Sequence, residues 1–229
     1  MKIIILAIFL ILTGCANNQP EKSVQIVKDI DGNIYHTVTI GKQTWLVENL
    51  KVTKYRDGTP IPMITDSIEW ARLNTGAYCN YKNDMTMATI YGRLYNYYTI
   101  VDSRNLCPKG WHVPNDKEWQ VLTDYLGGEK IAGGKMKETG TAHWINFGKG
   151  GATNVSGFTA LPGGGCEFMT FSNGSAGVFD WLGMKGYFWS STNWGDDFIW
   201  FRELENGNPF VNRNHYSARC GFSVRCIKD

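Results

Sequence analysis

After Met1-Lys2 the chain runs through ten consecutive apolar residues, Ile3 to Leu12, and breaks at Thr13-Gly14-Cys15. Ten helical residues span about 15 Å, half of a hydrocarbon core of about 30 Å. The run is therefore too short to cross a membrane. It has the size of the apolar region of an export signal, with Lys2 as the preceding positive charge. An exported chain folds outside the reducing cytoplasm, so the rest must be a water-soluble body whose cysteines are free to pair. A hydrophobic content of 43% with 19% charged residues fits such a body. The 26 Gly, without a Gly-X-Y period, point to a turn-rich fold.

The break itself carries more. Leu12-Thr13-Gly14-Cys15 resembles a bacterial lipobox, in which the cysteine receives diacylglycerol and becomes the new N-terminus. The expected organisation is a signal peptide over 1–14, the lipidated Cys15 with a flexible tether over 15–23, and one domain over 24–229. The tether, Ala16 to Ser23, holds no large apolar side chain. Several acyl chains on one residue attach a protein stably, since each buried CH₂ is worth about 0.8 kcal/mol. The expected location is the bacterial cell envelope, at the outer membrane, with the membrane as a partner through the lipid.

With Cys15 assigned to lipid, Cys79, Cys107, Cys166, Cys220 and Cys226 remain. An odd number allows two bridges and leaves one thiol, in many connectivities. No C-x₂-C occurs, and His36, His112, His143 and His215 are scattered, so no metal and no cofactor are predicted. The formal charge of +2 lacks the basic stripe of a nucleic-acid binder.

The patterning reads as α+β. Val24 to Ile30 and Ile34 to Ile40 are expected strands around the turn Asp31-Gly32-Asn33, with a third from Gln43 to Glu48. Asp66-x-x-Glu69 opens a short helix to Leu73. Leu94, Tyr97, Tyr98 and Val101 have helical spacing within Gly92 to Asp102. The clearest helix follows Asn115, with Glu118 three residues on, an apolar stripe of Trp119, Leu122 and Leu126, and a Gly127-Gly128 stop. A second short helix is expected over Ile131 to Glu138, then a loop from Thr139 to Ser156. The later chain reads as strands: Gly157–Leu161, Glu167–Phe171, Gly186–Thr192, Phe198–Leu204, Phe210–Ala218 and Gly221–Ile227.

Seven segments in order carry a family resemblance. They are Gly41-x-x-x-Trp45-x-x-Glu48-Asn49-Leu50, Tyr91-Gly92-x-Leu94-Tyr95-Asn96, and Cys107-Pro108-x-Gly110-Trp111-His112-x-Pro114 with Glu118-Trp119-x-x-Leu122. Then come Ala132-Gly133-Gly134-x-Met136-Lys137, Gly157-Phe158-x-Ala160-Leu161-Pro162-x-Gly164, Phe188-Trp189-Ser190-Ser191-Thr192 and Ser223-Val224-Arg225-Cys226. Together they resemble the Fibrobacter succinogenes major paralogous domain (FISUMP). That family is similar in turn to the C-type-lectin-like fold and to the formylglycine-generating enzymes. The implied fold is a twisted antiparallel sheet with two or three short helices, long irregular loops and adjacent termini. The resemblance further implies a disulfide from Cys107 to Cys226 and suggests a second from Cys166 to Cys220, leaving Cys79 free.

Most of the signature is aromatic, Gly and Pro, which build folds. Trp45, Trp111, Trp119, Phe158, Trp189 and Val224 are expected in the core. Glu48, Asn49 and His112 are expected in local hydrogen bonds. Arg225 should point away from Val224 and Cys226, toward a carboxylate. Candidate ligand-binding residues lie in the region after Thr192, expected to be irregular: Asn193, Trp194, Asp196, Asp197, Trp200, Arg202, Asn212 and Arg213. Flat aromatic faces flanked by amides, carboxylates and guanidinium groups suit sugars. The Glu-Pro-Asn or Gln-Pro-Asp loop of sugar-binding C-type lectins is absent, and two adjacent Asp do not supply the six to eight oxygens calcium needs. The expected function is a lipid-anchored binding or adhesion module for a glycan or an envelope protein. The alternatives are a formylglycine-generating-type oxidase, whose cysteine pair at five-residue spacing is not matched by Cys220 and Cys226, and a purely structural envelope component.

Overall fold

A computed structural model describes residues 26–145 and 151–229. The apolar run, Cys15 and the tether lie outside the described residues. Strands β1 (Ile26–Lys28), β2 (Ile34–Ile40) and β3 (Gln43–Leu46) form an antiparallel meander. Its first turn uses Gly32 at φ +84°, a backbone region that costs glycine nothing. The Asp29 carboxylate organises it, accepting from the Asp31 and Asn33 backbone N–H groups and from the Tyr35 hydroxyl.

Helix α1 (Ser67–Ala71) starts at Asp66, whose side chain accepts from Ile68 N and Glu69 N. Strand β4 (Tyr78–Cys79), a 3₁₀ turn over Tyr81–Asn83, helix α2 (Met85–Tyr91), strand β5 (Leu94–Tyr95) and helix α3 (Tyr97–Ile100) follow. The helix expected over Gly92 to Asp102 is thus a strand and a single helical turn. The backbone of 94–95 is committed to β4 and to Phe222. The Asn96 side chain then accepts from Ala77 N and Thr99 N, which starts the turn there.

Strand β6 (Trp111–His112) leads into α4 (Asp116–Tyr125), where Asn115 and Glu118 form a reciprocal capping box, and α5 (Glu129–Met136). Strands β7 (Gly165–Phe171) and β8 (Gly174–Asp180) make a hairpin. Strands β9 (Lys185–Gly195), β10 (Phe198–Glu205) and β11 (Asn212–Ser217) make a three-stranded antiparallel sheet, and β12 (Ile227–Lys228) ends the chain.

Helix α2 and strand β8 have no counterpart in the sequence reading. Helix α2 buries Ala88 alone, so it lacks an apolar stripe. Strand β8 is Gly- and Ser-containing because it lies against Trp70: a Cβ on Gly177 would sit 2.7 Å from the indole. Conversely, Gly157–Leu161 forms one bridge, Ala160 to Lys137, and no strand.

The segment expected as a strand over Gly221–Ile227 does something else. It bridges in turn to Cys166, Tyr95 and Phe188 before β12 settles between β3 and β6. The sheet order is β1-β2-β3-β12-β6, so the first and last described strands share one curled antiparallel sheet. The class is α+β.

The signature residues meet inside. Trp45, Trp119, Phe158 and Phe188 pack with ring centroids from 4.8 Å to 6.1 Å apart, within the range favoured for aromatic pairs. Trp119 Nε1 donates to Trp189 O, and Trp189 Nε1 donates to Tyr95 O. Arg225 does turn away from Val224 and Cys226, but it meets no carboxylate. Its guanidinium donates to Asn49 Oδ1, Leu46 O, Phe158 O and Thr159 O and lies 4.4 Å from the Phe158 ring centre. Full burial lowers its pKa to about 9.

The Cys107–Cys226 disulfide is present, with Cα atoms 6.1 Å apart and a sequence separation of 119. It joins the segment ahead of β6 and α4 to the residue just before the last strand. The suggested Cys166–Cys220 bridge is absent: Cys79, Cys166 and Cys220 are buried thiols. Cys220 Sγ accepts from Phe168 N at 3.3 Å, while Cys166 lines a small cleft with Cys79.

Candidate ligand-binding site

Alternation along β10 separates two faces. Ile199 and Phe201 enter the central core with Trp189 and Phe222. Phe198, Trp200 and Arg202 point to the other side, where register pairs Trp200 with His215 and Arg202 with Arg213. At one end this outer face is covered by the first turn of α4. At the other end none of the described residues covers it, and Phe198 is 43% exposed and Trp194 51% exposed.

Trp194 reaches this face because the β9–β10 pairing is irregular between Phe198 and Phe201. Such irregularities re-aim side chains. The region expected to be irregular is therefore a hairpin, with Gly195 at φ +153° and Asp196 at φ +46° at its tip. Asn193 Oδ1 accepts from Gly195 N at 2.7 Å and holds the turn.

Four rings assemble on the uncovered end. Trp194 stacks on His215 at 4.0 Å and 11°. Trp200 and Phe198 stand edge-on to Trp194, at 88° and 84°. The Arg213 guanidinium carbon lies 3.4 Å from the centre of the Trp200 ring, a cation–π contact.

A charged group borders the rings. The Asp116 carboxylate accepts from Arg202 Nη1 at 2.7 Å and from Arg213 Nη2 at 2.9 Å. Burial opposes ionisation of Asp116, but the two guanidinium groups outweigh it and hold its pKa below the ordinary value. Arg202 is buried, and burial lowers its own pKa against the pull of Asp116. Two guanidinium groups face one carboxylate, so the border is net positive. Arg213 is exposed at the edge of the rings and opens onto a depression of about 600 Å³, lined also by Glu129, Lys130, Phe210 and Asn212.

Of the eight candidates, Trp194, Trp200 and Arg213 come together on the exposed face. Arg202 lies beneath them, and Asn212 lines the depression while donating to Glu203 Oε1. Asn193 and Asp196 serve the hairpin tip. Asp197 pairs with Arg219 at 3.1 Å, away from the rings. Phe198, His215 and Asp116 lie in the same cluster and are not among the eight. Phe198 and Trp200 are two apart on an alternating strand, which was a legible signal. The pairing of His215 with Trp200 required the register of β11. Among the described residues no group of three or more His, Cys, Asp or Glu side chains is placed to hold a metal.

The chain matches the family model described as Fibrobacter succinogenes major domain over residues 38–228. No curated protein and no solved structure matches it.

Proposed function

The chain belongs to the Fibrobacter succinogenes major domain family, and from that premise we propose that it is an envelope-associated binding module that recognises a glycan on the outer face of the β9–β11 sheet. The observation that carries this reading is the cluster of Trp194, Phe198, Trp200 and His215, left uncovered beside Arg213. Contiguous exposed aromatic surface rimmed by polar groups marks interaction sites. Indole offers an apolar plane to the C–H face of a pyranose, and the free donors of Arg213 offer hydrogen bonds to its hydroxyls.

Lipid attachment at Cys15 belongs to the same reading and holds the domain at the outer membrane on its tether. The finer fold assignment, C-type-lectin-like, is also a proposal. It is supported by the Cys107–Cys226 bridge between the helix-leading segment and the lead-in to the last strand, and by the first and last described strands sharing one sheet.

The test is a glycan array probed with the full chain and with Trp194→Ala, alongside affinity capture of envelope proteins. Binding to a defined set of glycans that Trp194→Ala weakens at least about tenfold supports the reading. Capture of a single protein partner without any glycan signal overturns it in favour of protein recognition. Failure to bind either overturns the binding function itself.

A further inference from the structure

Cys79 and Cys166 lie far apart in sequence, on β4 and β7, yet both enter the third buried cluster with Trp70, Tyr81 and Leu94. Cys79 is 1% and Cys166 2% exposed. Both line one small cleft, together with Trp70, Gly177 and Phe179. Backbone geometry brings them there: Cys166 bridges Gly221 while Cys79 pairs with Leu94. Glycine at 177 leaves the space, since a Cβ there would meet Cys166 Sγ at 2.9 Å. Cys220 is held apart by its own partner, Phe168 N.

From this juxtaposition we propose that Cys79 and Cys166 form a second disulfide in the mature protein. The chain already closes Cys107 to Cys226, so it matures where thiols are oxidised. The oxidant is an external disulfide, either a protein dithiol oxidase or a small-molecule disulfide. One cysteine attacks it as thiolate, forms a mixed disulfide and releases one thiolate. The other cysteine then attacks the protein sulfur of that mixed disulfide, closes Cys79–Cys166 and releases the second thiolate. Two thiols lose two electrons in all, the external disulfide becomes two thiols, and the two cysteine protons go to the leaving thiolates.

The timing follows from burial. The cleft beside the pair, between Asp66, Trp70 and Gly177, holds about 10 Å³, too little to admit an oxidant. Burial, and then the neighbouring Cys166, push the Cys79 thiol well above its ordinary pKa, so folded Cys79 presents no thiolate. Closure therefore belongs to folding, before α1 and the β7–β8 hairpin seal the cluster. The bond would fasten that hairpin to the β4–β5 pair.

The experiment uses the full chain exported in a bacterial host and equilibrated, partially unfolded, with glutathione disulfide until Cys107–Cys226 is closed. The sample is then denatured, alkylated without reductant and peptide-mapped. The expected result is a cross-linked Cys79–Cys166 peptide pair, with Cys220 as the alkylated thiol. Cys220→Ala keeps the cross-link, and Cys79→Ala leaves Cys166 alkylated. Alkylation at both Cys79 and Cys166 while Cys107–Cys226 is closed overturns the proposal, as does a Cys166–Cys220 or Cys79–Cys220 cross-link.

Discussion

Arg225 illustrates how residue and context divide the work. Alternation placed its side chain opposite Val224 and Cys226, and that direction holds. Its partners were not legible, because three of them are backbone carbonyls from Leu46, Phe158 and Thr159, delivered by segments far away in the chain. Asn49 completes the set: it accepts from Arg225 and donates to Tyr91 O and Ser223 Oγ. A buried guanidinium without a carboxylate is tolerated because its donors are satisfied and it lies over a ring. Arg225→Met removes the charge but strands these acceptors, each costing about 1–3 kcal/mol when left unpaired. The expected loss is about 3 kcal/mol in urea unfolding. Arg225→Lys, lacking the planar fork, should recover less than half of it. A loss below about 0.5 kcal/mol for Arg225→Met would show that the network is not structural.

Among the elements, α4 was readable in full because its signals are local: a cap, an acid three residues on, an apolar stripe and a glycine stop. The 94–101 segment was misread because its apolar spacing fits a helix while its hydrogen bonds go to distant strands. Two links tie α4 and the segment leading into it to the C-terminal residues. His112 bridges Glu118 at 2.9 Å and Asp229 at 2.7 Å. Burial disfavours its protonated form, but the Asp229 and Glu118 carboxylates outweigh burial and raise its pKa above 6.5. A raised folded pKa means this contribution is fully present below pH 6.5 and is lost as pH rises through the folded value. The stability difference between wild type and His112→Gln should therefore shrink as pH rises above 6.5 through the folded value; a constant difference refutes the linkage.

The second link is the Cys107–Cys226 disulfide. Closing a loop of 119 residues is worth about 5 kcal/mol in the chain-entropy view. Cys107→Ala with Cys226→Ala should lower unfolding stability by about 2–5 kcal/mol, read as the urea midpoint against wild type. An unchanged midpoint would place the bridge outside the stabilising set.

For the whole molecule, the terminal segment from Gly221 to Lys228 is the seam, touching β5, β7, β9, β3 and β6. The order of the signature segments foretold a shared core, and Trp45, Trp119 and Phe158 do meet there. The candidate site was legible only in part. Trp194, Trp200 and Arg213 stood out as residue types, but their convergence depends on a β-irregularity and on cross-strand register that no local pattern encodes. The same architecture separates two populations of tryptophan. Trp45, Trp119 and Trp189 are sealed inside, whereas Trp194 stands half in solvent at the end of the sheet.

That separation makes the central claim directly measurable. In a nitrogen-15 correlation spectrum of the full chain, the indole N–H signals report each tryptophan during titration with a glycan that binds on the array. The signals of Trp194 and Trp200 are expected to shift in a saturable manner while those of Trp45, Trp119 and Trp189 stay in place, and Trp194→Ala should move the midpoint of the Trp200 shift to at least about tenfold higher ligand without lowering stability by more than about 0.5 kcal/mol. Saturable binding that leaves Trp194 and Trp200 unmoved would contradict the assignment of this face as the ligand site.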